Sequence, residues 1–252
     1  MKIDVLDHGY VEFIEPWGTG REGAGLGTGA LGHGDCEVGI VEAARQSTQG
    51  NFRGWEQDSK LLAHLYNNNH ATPFEFAGMV IEVQAPLMVF REWHRHRTQS
   101  YNEMSARYTA LPDLYYHVEP QLAFDRAVAA QESKNKQAGA GVVLTDDMRE
   151  RLSDELTDWL AADEELSVVL EKHYKRGLAI GVPKELARKK MPVDHYSRMR
   201  AGANLRNWLS FMTLRCDPLA QWEIRQYAYA VSNVIRHAFP RTHDLWAMKL
   251  PR

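Results

Sequence analysis

The densest chemistry in the chain is a single run, Arg95-His96-Arg97-Thr98-Gln99-Ser100-Tyr101-Asn102-Glu103-Met104-Ser105-Ala106-Arg107-Tyr108. Apart from Met104, Ala106 and the tyrosine rings, every side chain in it donates, accepts or carries charge. A solvated helix face would repeat its charges with a period and keep a buried apolar stripe. This run keeps almost none, so its polar groups need a ligand or an ion-pair network to satisfy them. Arginine forks match phosphate oxygens two at a time, which makes an anion the expected ligand. On a helix, Arg95 and Arg97 would lie about 200° apart, since one turn takes 3.6 residues. His96 would sit between them, and two different ligands could be held.

The whole chain gives little hint of this. It has 252 residues, 44% of them hydrophobic and 25% charged, with a formal net charge of -3. That is a soluble globular composition, and the charge argues against a general nucleic-acid binder. The near-neutrality hides two opposed stretches. From Lys184 to Arg215 there are eight basic and two acidic residues, and from Thr145 to Arg176 five basic and ten acidic. A basic patch in a near-neutral protein points to a small anionic ligand. No run reaches the ~18 apolar residues of a membrane span, and the first residues lack a secretory apolar run. Two cysteines, Cys36 and Cys216, stand 180 positions apart without CxxC spacing. They read as reduced thiols in a cytoplasmic protein.

The elements that must position the run can be traced by periodicity. Residues 2–14 read as a strand or hairpin, and Phe76–Ala85 as a strand with Met79, Ile81 and Val83 inward. Glu37–Ser47 and Gln57–Asn68 read as helices, the second with Leu61, Leu62, Leu65 and Tyr66 on one side. Pro86 closes the strand and opens a helix through Leu87, Val89, Phe90 and Trp93 into the arginines. Gly18–Gly34 holds eight of the 18 glycines and reads as a mobile surface loop. Residues 121–144 read as a linker. Thr145–Gly177 reads as a long helix, capped by Thr145 and Gly177, with Met148, Leu152, Leu156, Trp159, Leu166 and Leu170 as a buried stripe. Beyond it lie a short helix from Pro183 to Met191, a short strand near Tyr196–Arg200 and a helix from Asn204 to Arg215. A last helix runs from Pro218 to Ala238, stopped by Pro240. The expected architecture is α+β: a central sheet packed with long helices in one domain over 1–252, with a linker and helical insertion at 121–177.

The run Arg95–Tyr108 matches, at every specified position, the motif RHRxxSxNExSxRY, and so resembles the flavin-dependent thymidylate synthases. Other segments are similar to that family too: Ala43-Ala44-Arg45-Gln46-Ser47, His70-Ala71-Thr72-Pro73-Phe74-Glu75, and Gly181-Val182-Pro183 with Ala187-Arg188 and Pro192. So are Asn204-Leu205-Arg206, Leu214-Arg215, Asp217 and Gln221-Trp222-Glu223. The resemblance implies reductive methylation of dUMP to dTMP, with methylenetetrahydrofolate as carbon donor and FAD, reduced by NADPH, as hydride source. It also implies a homotetramer whose sites are shared between subunits. It places Glu92, Arg95, Glu103, Ser105, Arg107, Arg188 and Arg215 at dUMP, with Arg107 and Arg188 on the phosphate. Arg215, the catalytic residue, would favour ionisation of the uracil ring nitrogen. Ser47, His70, Thr72, Glu75, Arg95, His96, Arg97, Glu103, Asn204, Arg206 and Ser210 would contact FAD.

The sequence departs from the pattern at three places. Members commonly carry Gln where this chain has Glu92, and Asn and His where it has Ser210 and Leu219. A nucleotide-binding flavoprotein that does not methylate is therefore the alternative reading, and a single-strand nucleic-acid binder a more distant one. Ser100 and Ser105 lack a His–carboxylate set for nucleophilic attack, and Cys216 does not sit in a nucleophile motif. On a helix, His94 and His96 diverge, so no metal site is expected.

Overall fold

The computed structural model describes residues 1–21, 34–134 and 141–250. Most of the glycine-rich stretch 18–34 lies outside them, and with it the expected loop. In chain order the strands are β1 (Lys2–Val5), β2 (Gly9–Trp17), β3 (Gly78–Pro86), β4 (Ser100–Glu103) and β5 (Tyr196–Asn204). The helices are α1 (Val38–Arg45), α2 (Trp55–Asn67), α3 (Leu87–Trp93), α4 (Pro120–Glu132), α5 (Asp146–Ala179), α6 (Lys184–Ala187), α7 (Leu205–Arg215), α8 (Trp222–Ala238) and α9 (Pro240–Ala247). The α+β expectation is met. These elements form two compact units, one of Met1–Met104 with Tyr196–Arg252, the other of Ser105–His195.

The first unit is built on an antiparallel sheet of order β1-β2-β3-β5-β4. Alternation dictates its buried face. Met79, Ile81 and Val83 of β3 are buried, as are Met199, Ala201 and Ala203 of β5, while Arg198 and Arg200 point out. Trp93, Trp208, Phe211 and Tyr227 cover this face from α3, α7 and α8. Burying each such side chain contributes roughly 1.5–3 kcal/mol. The two indoles also satisfy their N–H groups: Trp93 donates to Gln99 Oε1 (3.0 Å) and Trp208 to the Met79 carbonyl (3.1 Å).

The second unit rests on α5. Thr145 caps it as expected, its hydroxyl accepting from Met148 N at 3.4 Å. Tyr174 is buried against this unit, and Tyr115 donates to Glu171 Oε2 at 2.6 Å.

Several expectations need correction. Helix α3 stops at Trp93 instead of continuing into the arginines. The stretch 121–144 is no linker at its start, because Pro120–Glu132 is helical and Glu119 caps it by accepting from Leu122 N. Gly177 lies inside α5, and the left-handed residue after the helix is Gly181 (φ 83°). Met148, Trp159 and Leu166 are exposed; the inward side of α5 is Leu152, Leu156, Ser167, Leu170, Glu171 and Tyr174. The strand at Tyr196 runs nine residues, to Asn204, and pairs on both sides. The helix placed at Pro218 starts at Trp222, since Asp217 Oδ1 takes Leu219 N in a tight turn. The last expected helix does end at Ala238, ahead of Pro240, but Pro240 also starts a further helix, α9, that was not expected. There Glu37, fully buried, accepts from the Arg241 and Thr242 amides and from the Arg241 guanidinium. A carboxylate on these free amides opposes the positive end of the helix.

Candidate active site

The arginine run is held by a turn and not by a helix. Arg95 N bonds back to the Glu92 carbonyl, His96 N to that of Trp93 and Arg97 N to that of Arg95. The Tyr101 hydroxyl, at the start of the next strand, donates to the carbonyls of His96 (2.7 Å) and Trp93 (3.1 Å). It thereby closes the turn over the core, and burial pushes its own pKa up. Gln99, buried between Trp93 and Tyr101, completes the support. Tyr101 and Gln99 were missed as functional supports; both occupy unspecified positions of the motif, and only their hydrogen bonds reveal them.

On this turn Arg95 and Arg97 are exposed, and neither makes an ion pair among the described residues. His94 and His96 lie on this turn and not on a helix, and they meet different neighbours. The His94 ring lies edge-on to Tyr101, whereas His96 packs edge-on to Phe211 of α7. One turn after Phe211 comes Arg215, which closes a tight group. Arg215 Nε donates to His96 Nε2 at 2.9 Å, Nη1 to Glu92 Oε2 at 2.9 Å and Nη2 to the Glu92 carbonyl at 2.8 Å. Burial, then the neighbouring guanidinium, lower the His96 pKa to about 4. A neutral imidazole that accepts from Arg215 is the state this geometry requires. Helix α7 ends at Arg215, where a cation suits the negative end of the helix.

A second grouping lies on the same unit. Ser47, His70 and Thr72 line one cleft of about 660 Å³. His70 also lines an adjoining one of about 140 Å³, with Phe74, Arg206 and Leu209. Glu75 pairs with Arg206 of α7. Asn204 caps α7 through Oδ1, which accepts from Asn207 N at 3.0 Å. Ser210 is exposed on α7. Glu103, on β4, accepts from the buried Ser197 hydroxyl at 2.9 Å. Arg45 of the Ala43–Ser47 segment is spent inside the protein on Asp58, which is fully buried.

In the second unit, Ser105 Oγ accepts from Arg107 N, and Arg107 Nε donates to Glu185 Oε2 at 3.0 Å. Arg188 follows one turn later and is exposed. Among the described residues no three His, Cys, Asp or Glu side chains gather to hold a metal ion, and no helix is long and apolar enough to cross a membrane. Burial holds the Cys216 thiol up at about 12, so it is protonated and a poor nucleophile at neutral pH.

The sequence profile of the thymidylate synthase complementing protein family matches residues 33–241. The flavin-dependent thymidylate synthase of Thermus thermophilus is 32% identical over 247 residues, covering 95% of this chain and 76% of that protein. The chain belongs to the flavin-dependent thymidylate synthase family. The family's enzyme from Thermotoga neapolitana is likewise 32% identical, over 97% of this chain and 93% of its own length. Among solved structures, the UMP/dUMP methylase PolB from Streptomyces cacaoi, bound with 5-Br dUMP, superposes with a TM-score of 0.73. It is 25% identical to this chain and covers 98% of it, with 97% of that chain matched.

Proposed function

We propose that this chain methylates dUMP to dTMP, with methylenetetrahydrofolate as carbon donor and FAD reduced by NADPH as hydride source. The observation that carries the reading is the placement of Arg215. It is half-buried at the end of α7, with its Nε held by His96 of the motif turn and its Nη1 and Nη2 by Glu92 at the end of α3. A guanidinium held so firmly stabilises charge that develops on a ring nitrogen without reorganising. Within the second unit, Arg107 and Arg188 are cations suited to a nucleotide phosphate, and Ser105 adds a hydroxyl donor.

The residues present fit an FAD. The cleft lined by Ser47, His70 and Thr72 offers hydroxyl and imidazole donors. Arg95 and Arg97 offer exposed guanidiniums that suit a pyrophosphate. Arg206, Glu75, His96 and Asn204 complete the set that would hold it. Bound there, the flavin would supply hydride chemistry that no side chain can. The protein's part is to bind, orient and polarise.

Exposed Trp159, Leu166 and Val169 on α5 support self-association, which we read as a homotetramer with shared sites. Light scattering of the eluting protein measures it. Two free thiols suit a reducing, cytoplasmic setting.

Glu92 favours one second reading, a flavoprotein that binds nucleotide without methylating it, because its carboxylate already neutralises Arg215. Visible absorption of the purified protein, before and after dUMP, tests flavin and nucleotide binding together. Tritium release from labelled dUMP, with NADPH and the folate present, then separates the two readings. A protein that cannot be loaded with FAD contradicts both.

A further inference from the structure

Beside the cleft of about 660 Å³ lies a smaller one of about 140 Å³, and the two are continuous along Asn69, His70 and Ala71. The floor of the smaller one is apolar. Leu65, Phe74 and Leu209 close it, all buried in the core, and the Tyr66 ring stands edge-on to that of Phe74 at 5.9 Å. The rim is polar. Helix α2 is followed by a turn in which His70 N bonds back to the Leu65 carbonyl at 2.9 Å. Asn69 takes a φ of 57° there, which asparagine tolerates. The turn sets exposed Asn69 and His70 at the rim, together with exposed Arg206 of α7. A cavity of about 150 Å³ lined by leucine and phenylalanine holds one benzene ring. The small cleft therefore takes a single six-membered ring, and a fused flavin, pterin or adenine system is too large for it.

We propose that this cleft is the subsite for the nicotinamide ring of NADPH in its reduced, uncharged form. The inference rests on the reading that FAD is reduced by NADPH. His70 and Arg206 belong to the set that would hold FAD, so a ring seated here lies next to the flavin, as hydride transfer requires. Three single rings take part in the proposed reaction, and two of them fit poorly. The uracil of dUMP would drive carbonyls and a ring N–H into an apolar floor that satisfies none of them. The p-aminobenzoyl ring of the folate is substituted at both opposite ends and cannot enter a closed floor end-on. The dihydronicotinamide ring carries its ribose and its carboxamide on one side and only C–H bonds on the other. That bare edge suits Leu65, Phe74 and Leu209. The carboxamide stays at the rim, where the Asn69 amide both donates and accepts.

Charge makes the subsite directional. Among the described residues no carboxylate lines it, while the Arg206 guanidinium does, and Lys249 Nζ stands 4.7 Å from the Tyr66 ring centroid. Passing a hydride to FAD reduces the flavin and leaves the ring a pyridinium cation. An apolar floor gives that cation no counter-charge, so the oxidised ring is disfavoured where the reduced ring is held.

The test is calorimetric binding of three probes to the FAD-loaded protein, without turnover. They are tetrahydro-NADP, whose neutral ring cannot give up a hydride, NADP⁺, and 2′-phospho-ADP-ribose, which lacks the ring. Tetrahydro-NADP should bind at least about tenfold more tightly than either of the others. Leu209→Phe, which fills the cleft, should erase that advantage and leave FAD and dUMP affinity unchanged. Equal binding of tetrahydro-NADP and 2′-phospho-ADP-ribose by the wild type overturns the inference, and needs no variant to fold. Equal binding of tetrahydro-NADP and NADP⁺ overturns it too, since the charge of the ring then goes unread. So does competition by p-aminobenzoylglutamate, at equal or higher affinity, that Leu209→Phe abolishes, which gives the cleft to the folate. In each of these cases FAD and dUMP still bind, so the dUMP reading survives. A protein that takes up no FAD overturns that reading and this one together.

Discussion

His96 and Arg215, 119 positions apart, share a hydrogen bond of 2.9 Å in which the guanidinium Nε–H donates to an imidazole nitrogen. The bond fixes which nitrogen of His96 is bare and so requires the ring to be neutral. It also joins the motif turn to the end of α7, so that neither can shift alone.

That bond sets a pH dependence. The folded His96 titrates at about 4, below its ordinary value of 6.5. Between these values the unfolded chain holds a proton that the folded one does not. Stability is therefore full above about pH 6.5 and is lost as pH falls toward 4. Thermal midpoints of wild type and His96→Gln across pH 7 to 4 check this, and the wild type should show the steeper fall. An imidazole resonance of His96 that titrates near 6.5 contradicts the assignment.

Arg215→Ala should retain bound flavin and lose turnover by about 100-fold or more, the scale of one lost transition-state donor. Absorption spectra and tritium release measure the two separately. Lost flavin with intact turnover would reverse the role given to Arg215.

Arg97 is exposed, so Arg97→Ala should leave the melting temperature within about a degree or two while weakening FAD retention roughly tenfold. Equilibrium dialysis of flavin against the apoprotein reads the effect. A drop in stability equal to that of a core substitution would mean the side chain is structural.

Arg45 belongs to a segment that resembles the family's, yet it is bonded to buried Asp58, which also accepts from Arg53 N at 2.7 Å. Asp58→Ala strands a guanidinium in the interior and should cost about 3–5 kcal/mol in urea unfolding. Flavin affinity per folded molecule should be unchanged. A loss of affinity without loss of stability would place Arg45 in the ligand site.

The course of the chain is legible wherever local physics decides it. Met79, Ile81 and Val83 alternate into the core as their spacing requires, and Thr145 caps α5 as its position requires. The helix at Pro120–Glu132 was hidden because its Ala and Gln residues give little apolar periodicity. Pro240 was ambiguous, since proline both ends helices and begins them. Its partner in the decision is Glu37, more than two hundred positions away in sequence.

The sequence by itself determined the family, through Arg95–Tyr108, and the inward face of the strand carrying Met79, Ile81 and Val83, because both depend on residue type and short spacing. Tertiary structure alone decided what those residues do. The motif leaves the helix after Trp93 because the Tyr101 hydroxyl takes the carbonyls of Trp93 and His96 while Ser100–Glu103 pairs with β5. Arg215 meets Glu92 and His96 because α7 packs Phe211 against the Trp93 ring and the His96 ring one turn before it. The Arg215 contacts join positions 119 and 123 apart, and no local periodicity carries them.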